Sequence, residues 1–271
     1  MADSSRSLSR FFSPQTDTDS PPENDDEDEL INEDYIHILL DKETHNNHIE
    51  PHDDELIKIH RSEAIQWIFN TRSSLQFQLQ TAYLSVTFID RFISKQRIIA
   101  SEKPWAIQLL AIACLSIAAK MIEHEINTKH VLSLLLLHSN QFRFETKTIQ
   151  RMELIVLTTL DWKMHSITPF RFVRYFVSCF CNECEVQARY MSRISHIICA
   201  TTNDLVIMSS RSSTIALAAT LMAMDEDLSK ETMEMKVKNS LMKQLFDHVS
   251  RSGIFNFGII RWDHINEKKL N

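Results

Sequence analysis

Two glycines, Gly253 and Gly258, are all that this 271-residue chain contains. Average usage near 7% would supply about 19. Glycine adopts left-handed backbone without strain and lets ligands approach the main chain, so its scarcity removes whole architectures. No Walker A phosphate cradle and no GxGxxG dinucleotide turn can be written, because both are built on glycine. Two-residue hairpin turns, which favour Asn-Gly or Gly-X, are missing too. A GxSxG nucleophile elbow fails for the same reason. What remains is an all-α protein, and the length fits one large domain or two ordinary ones.

The net charge of −7 conceals an asymmetry. Residues 1–55 hold 17 acidic and 3 basic side chains, a net of −14, so the rest of the chain nets +7. This is the pattern of a solvated acidic arm beside a folded body. Ser13-Pro14, Ser20-Pro21-Pro22 and a nearly unbroken acidic run over 23–29 cannot bury enough apolar area to offset ordering entropy. Residues 1–52 therefore read as a disordered acidic arm, with one apolar island at 30–40 that predicts a short docking helix. Ser13 and Ser20 are candidate sites for proline-directed phosphorylation. No Lys/Arg cluster is dense enough for a nucleic-acid footprint.

Chemistry of the catalytic or metal-binding kind finds no support in the pattern. Cys179, Cys181 and Cys184 include a CxxC, but no second ligand pair follows at zinc spacing. His124-Glu125 opens an HExxH-like string that fails at Thr128. No metal, no cofactor and no enzymatic activity are expected. Five cysteines, an odd number, and an N-terminus without an apolar signal segment predict a reducing compartment. The longest apolar run, 105–119, is broken by Gln108 and Ser116 and is short for a bilayer span, so no membrane association is expected.

Apolar residues recurring at three- and four-residue steps predict helices near 54–71, 75–94, 104–122, 128–138 and 145–160. Pro104 suits a first helical turn, and the helix it opens is apolar nearly all round, which marks it as a buried centre. Asn127 is the expected N-cap of the fourth helix. A break at residues 161–164 precedes a second series near 169–181, 185–208, 211–225 and 230–250. The organisation expected is thus 1–52 arm, 53–164 first helical domain, 165–252 second helical domain and 253–271 short tail.

Several strings in this order resemble a known family. YLSVTFIDRFIS at 83–94 is similar to the second helix of a cyclin box, and KPWAIQLLAIACLSIAAKM at 103–121 to the third helix of plant D-type cyclins. Met152-Glu153-Leu154, followed by Leu157, Leu160, Asp161 and Trp162, resembles the fifth helix and its exit. Ile167-Thr168-Pro169-Phe170 and the stretch Arg211 to Ala216 resemble the opening and third helix of the C-terminal cyclin fold. The resemblance covers about residues 55–250. It implies tandem cyclin folds of about five helices each, and a non-catalytic subunit that activates a PSTAIRE-type cyclin-dependent kinase to promote cell-cycle progression at G1/S. A nuclear and cytoplasmic location and kinase-inhibitor proteins as further partners come with it.

The five characteristic positions of that box fall on Arg61, Asp90, Leu109, Lys120 and Glu153. The resemblance implies that Lys120 and Glu153 bond the backbone around the kinase helix, and that Ile117, Met121, Leu157, Trp162 and Met164 pack on it. Arg61 and Asp90 would fix the first two helices, with Leu109 and Trp67 structural. Taken singly, a Lys ending an apolar helix is ordinarily its solvated end. A Glu on an amphipathic helix is ordinarily solvated, and Ile117 and Leu157 fit a core place equally well. Their joint occurrence carries the reading.

Two departures bear on partners. The substrate-docking helix of such proteins opens with an apolar Met-Arg-Ala-Ile-Leu-like string, whereas here it is His60-Arg61-Ser62-Glu63-Ala64. No Leu-x-Cys-x-Glu string for retinoblastoma-type pocket proteins occurs in the chain. The expectation is weak or indirect pocket-protein binding. An alternative with the same fold is a tandem cyclin-fold transcription factor binding DNA and the general transcription machinery. That reading wants a basic face, and the arm here is acidic.

Overall fold

The computed structural model describes residues 33–46, 54–96, 104–123, 144–181 and 184–224, with Leu135 and Leu245. Every regular element among them is an α-helix. In chain order they are α1 (Glu33–Asn46), α2 (Glu55–Leu75), α3 (Leu79–Lys95), α4 (Pro104–Ile122), α5 (Thr146–Thr159), α6 (Phe170–Phe180), α7 (Cys184–Thr201), α8 (Leu205–Met208) and α9 (Ser212–Met224). The helices expected at 128–138 and 230–250, the 253–271 tail, Ser13 and Ser20 lie outside the described residues.

Each bundle is built round one apolar helix. In the first, α4 packs against α2, α3 and α5. Its residues Ala111 to Cys114 have no exposed surface, and Leu110 and Ile117 are 1% exposed. Each fully buried Leu or Ile contributes about 1.5–3 kcal/mol, which is why so uniform a helix is held at the centre. By length and composition the 18 residues Trp105–Ile122 could also cross a membrane. That window runs three residues beyond the apolar run 105–119, which was expected to be too short for a span. Burial accounts for its apolarity instead, since 72% of the stretch is enclosed. In the second bundle α9 takes the same part, packed against α6 and α7 and buried along almost its whole length.

The bundles meet along α3, which packs on α7. Tyr83 meets Phe170 edge to face with ring centroids 5.7 Å apart. The Cys199 Sγ donates to Leu79 O at 3.8 Å, and burial pushes that thiol up to about 12.

Residues 33–46 fall within the stretch 1–52 read as a disordered arm and overlap the island at 30–40 expected to give a short docking helix. They form α1, whose Ile36, Leu39 and Glu43 share one face and are 0, 2 and 4% exposed. That face docks far along the chain. Glu43 accepts from the Ser213 backbone N–H at 2.9 Å and from the Ser213 hydroxyl at 2.5 Å, at the start of α9. A carboxylate at a helix N-terminus satisfies an orphan donor and meets the positive end of the dipole.

Helix ends carry the turn chemistry that glycine would ordinarily supply. α2 opens on Asp54, whose side chain accepts from Leu56 N at 2.9 Å. It closes on Gln76 at φ 57° in the left-handed region. Phe77 N bonds Arg72 O and Gln76 N bonds Ser73 O, the paired bonds of a Schellman cap. The helix expected at 185–208 is two helices. Asp204 caps a new turn by accepting from Val206 N and Ile207 N, which ends α7 at Thr201 and starts α8.

Candidate functional site

Lys120 stands in the last turn of α4 and Glu153 in the second turn of α5. Since α4 and α5 pack together, their side chains meet, with Nζ to Oε1 at 2.6 Å. The lysine side chain is 11% exposed and the carboxylate 5%, so the pair sits at the rim of the core. Neither is a solvated helix end. A carboxylate has about four lone-pair sites and an ammonium three protons, so one mutual bond leaves donors and an acceptor for a partner's backbone.

The apolar residues expected around this pair divide. Ile117 and Leu157 are each 1% exposed and belong to the core beneath it, as does Met164 at 6%. Packing against α3 and α5 accounts for this: Ile117 lies on the central helix, and Leu157 on the inner stripe of α5 with Ile149, Met152, Val156 and Leu160. Met121 is half-buried against the core. Trp162 is 43% exposed, the large apolar side chain that the α5 exit turns to the surface. Leu109 is buried, and Trp67 packs against the core while half-buried.

Arg61 and Asp90 form a two-pronged bond inside the first bundle, Nε to Oδ1 at 2.6 Å and Nη2 to Oδ2 at 2.7 Å. Burial pulls the Arg61 guanidinium down, but the Asp90 charge and bonds outweigh it and hold it above the ordinary arginine value. The fork geometry fits a carboxylate bidentately, which fixes α2 against α3.

Two features escaped the sequence reading. Leu154 and Ile155, beside Glu153, are 50% and 43% exposed and give α5 an apolar outer stripe. Their signal was present, since both fall out of phase with the buried positions of the helix. Glu123, just past α4, accepts from Gln78 N at 2.8 Å and Thr81 Oγ1 at 2.5 Å, and so caps α3 from a distance. No local pattern announces a cap supplied from 45 residues away. His60 and Glu63, in place of apolar docking residues, face each other at 3.4 Å. Among the described residues no group of three or more His, Cys, Asp or Glu could hold a metal ion.

Two helical bundles, each packed round one apolar helix, have the architecture of a tandem cyclin fold. Residues 34–165 match the family model for the cyclin N-terminal domain. Cyclin-D3-3 of Arabidopsis thaliana is 36% identical over 193 residues, 71% of this chain and 52% of that protein. Cyclin-D1-1 of Oryza sativa subsp. japonica is 41% identical over 62% of this chain and 46% of its own length. The chain thus spans about half the length of these two relatives. Cyclin-D4-2 of Arabidopsis thaliana is 31% identical over 83% of this chain and 77% of its own. The solved structure of a viral cyclin from herpesvirus saimiri superposes with a TM-score of 0.60 at 17% identity, over 80% of this chain and 97% of that one. The chain belongs to the cyclin family, beside the D-type cyclins of plants. Its family model begins at residue 34, so α1 lies within the matched region rather than in an arm.

Proposed function

We propose that this chain is the regulatory, non-catalytic subunit of a PSTAIRE-type cyclin-dependent kinase, acting in the nucleus and cytoplasm to promote G1/S progression. The observation that carries the reading is the Lys120–Glu153 pair, 2.6 Å apart at the rim of the first bundle, with Trp162 exposed at the exit of α5. Lys120 donates to carbonyls at one end of the kinase helix, and Glu153 accepts N–H bonds. Each bond strengthens as the interface excludes water. Met121 and Trp162 supply the apolar contacts round this polar centre, as interface hot spots do. Binding selects the kinase state whose helix is turned inward, by no more than its differential affinity for the two states.

The test is co-purification with a PSTAIRE-type kinase and a phosphorylation assay on a pocket protein. Lys120→Glu and Glu153→Lys each abolish activation. Because either change also leaves a buried charge unpaired, the double swap is the decisive variant. It restores the ion pair and the helicity but exchanges donor for acceptor, so activation stays lost. Recovery of activation by the swap would refute the proposed roles.

A further inference from the structure

Among the described residues of the first bundle two Schellman caps end on an aromatic residue, and the two are used differently. At the α2 exit Gln76 is left-handed and the following Phe77 is 1% exposed. At the α5 exit the bonds are the same, Trp162 N to Leu157 O at 2.9 Å and Asp161 N to Thr158 O at 3.1 Å. There, however, both Asp161 and Trp162 are left-handed, at φ 54° and 59°, and the tryptophan is 43% exposed. An aromatic residue at this cap position usually folds back on the helix. Two successive left-handed residues without glycine are strained and persist only where surrounding contacts over-determine them.

Two contacts to this turn come from α3. Lys95 Nζ bonds Asp161 Oδ2 at 2.6 Å, and Arg91 Nη1 donates to Ser166 Oγ at 2.9 Å. The two cations are four residues apart, one turn of a helix, and so occupy one face of α3. They grip the α5 exit on both sides of Trp162. The Lys95 hydrogen bond and charge also hold the Asp161 carboxyl below its ordinary value, with Lys163 and Arg91 adding to the pull.

We infer that Lys95 and Arg91 are positioning residues that hold the Asp161–Trp162 turn in its left-handed form and keep Trp162 displayed for the kinase. The inference rests on the proposed kinase interface. Lys95 touches no partner in this scheme; it acts through Asp161. An exposed ion pair adds little to global stability, so its consequence falls on the geometry of the turn.

The test measures the affinity of the full chain for a PSTAIRE-type kinase together with thermal stability. Trp162→Ala weakens binding. Lys95→Ala and Asp161→Asn, the latter keeping a residue tolerant of left-handed backbone, each weaken it about threefold to tenfold. The double variant is no weaker than either alone, Lys95→Arg restores affinity, and Tm stays within about 2 °C throughout. If Trp162→Ala weakens binding while Lys95→Ala and Asp161→Asn bind like the parent, the positioning role falls and the interface stands. Loss of affinity in step with Tm overturns it equally, since a merely structural pair would do that. If the parent chain binds no such kinase, or Trp162→Ala binds unchanged, the interface reading itself fails.

Discussion

Gln76 shows what a chain without interior glycine must tolerate. It is exposed, left-handed and caps α2, so its Cβ is strained for no packing return. Gln76→Gly relieves that strain at some entropic cost, and stability should rise by about 0.5–1 kcal/mol, read by urea denaturation. A loss would mean the side chain does something the geometry does not reveal. Arg61 and Asp90 are the opposite case, a buried pair whose every charge is answered. Arg61→Ala strands the Asp90 carboxylate and should cost about 3–5 kcal/mol. Replacing both partners with apolar residues of similar volume should cost far less, and a double-mutant cycle separates the two outcomes. The pairing was legible from the sequence only through the family resemblance, because nothing local links positions 29 residues apart. That Ile117 and Leu157 are interior could be read only as one of two equal possibilities. A residue packing under an interface and one packing in it show the same periodicity.

At the level of elements, periodicity located nearly every described helix, and α4 ended where it was expected, because a 3.6-residue repeat with a proline at its start leaves little choice. It failed where apolar residues continue across a cap. Leu205 to Met208 prolong the pattern of α7, yet Asp204 and the Thr202 turn force a fresh start. It also understated α1, whose inward face is spaced correctly but lies inside an acidic stretch. Glu43 gives that docking a pH dependence. Burial raises its carboxyl above the ordinary value, outweighing the lowering by its Ser213 bonds and by Arg211. The folded state therefore holds the proton more tightly than the unfolded chain. The stability contributed is full below the unfolded value of 4.5 and is lost as pH rises through the raised folded value. Amide protection of α1, corrected for intrinsic exchange, should fall as pH climbs across that window. Glu43→Gln should flatten the profile, and an unchanged slope would assign the titration elsewhere.

Across the whole molecule, α1 belongs to one half by sequence and to the other by its polar ties. The family match begins at residue 34 and runs through the first bundle. Yet Glu43 bonds Ser213 at the head of α9, and Tyr175 on α6 donates to Glu33 at a long 3.5 Å. Helix α1 is thus a strap over the second bundle, which has α9 at its centre. Chain connectivity places it with the first domain, but burial and capping are set by what it touches. Removing residues 1–46 should then strike the distal half. It takes the buried Ile36 and Leu39 out of the apolar core, and it strips α9 of the carboxylate at its N-terminus. Hydrogen exchange on the shortened chain should show protection lost in α6 and α9 and retained in α4. With Trp162 and Trp262 replaced by phenylalanine, denaturation followed by the fluorescence of Trp67 and Trp105 in the first bundle should lag the transition seen by circular dichroism, since one probe reports a single bundle and the other both. If α2 to α5 lose protection instead, the strap supports the first bundle and its docking has been misassigned.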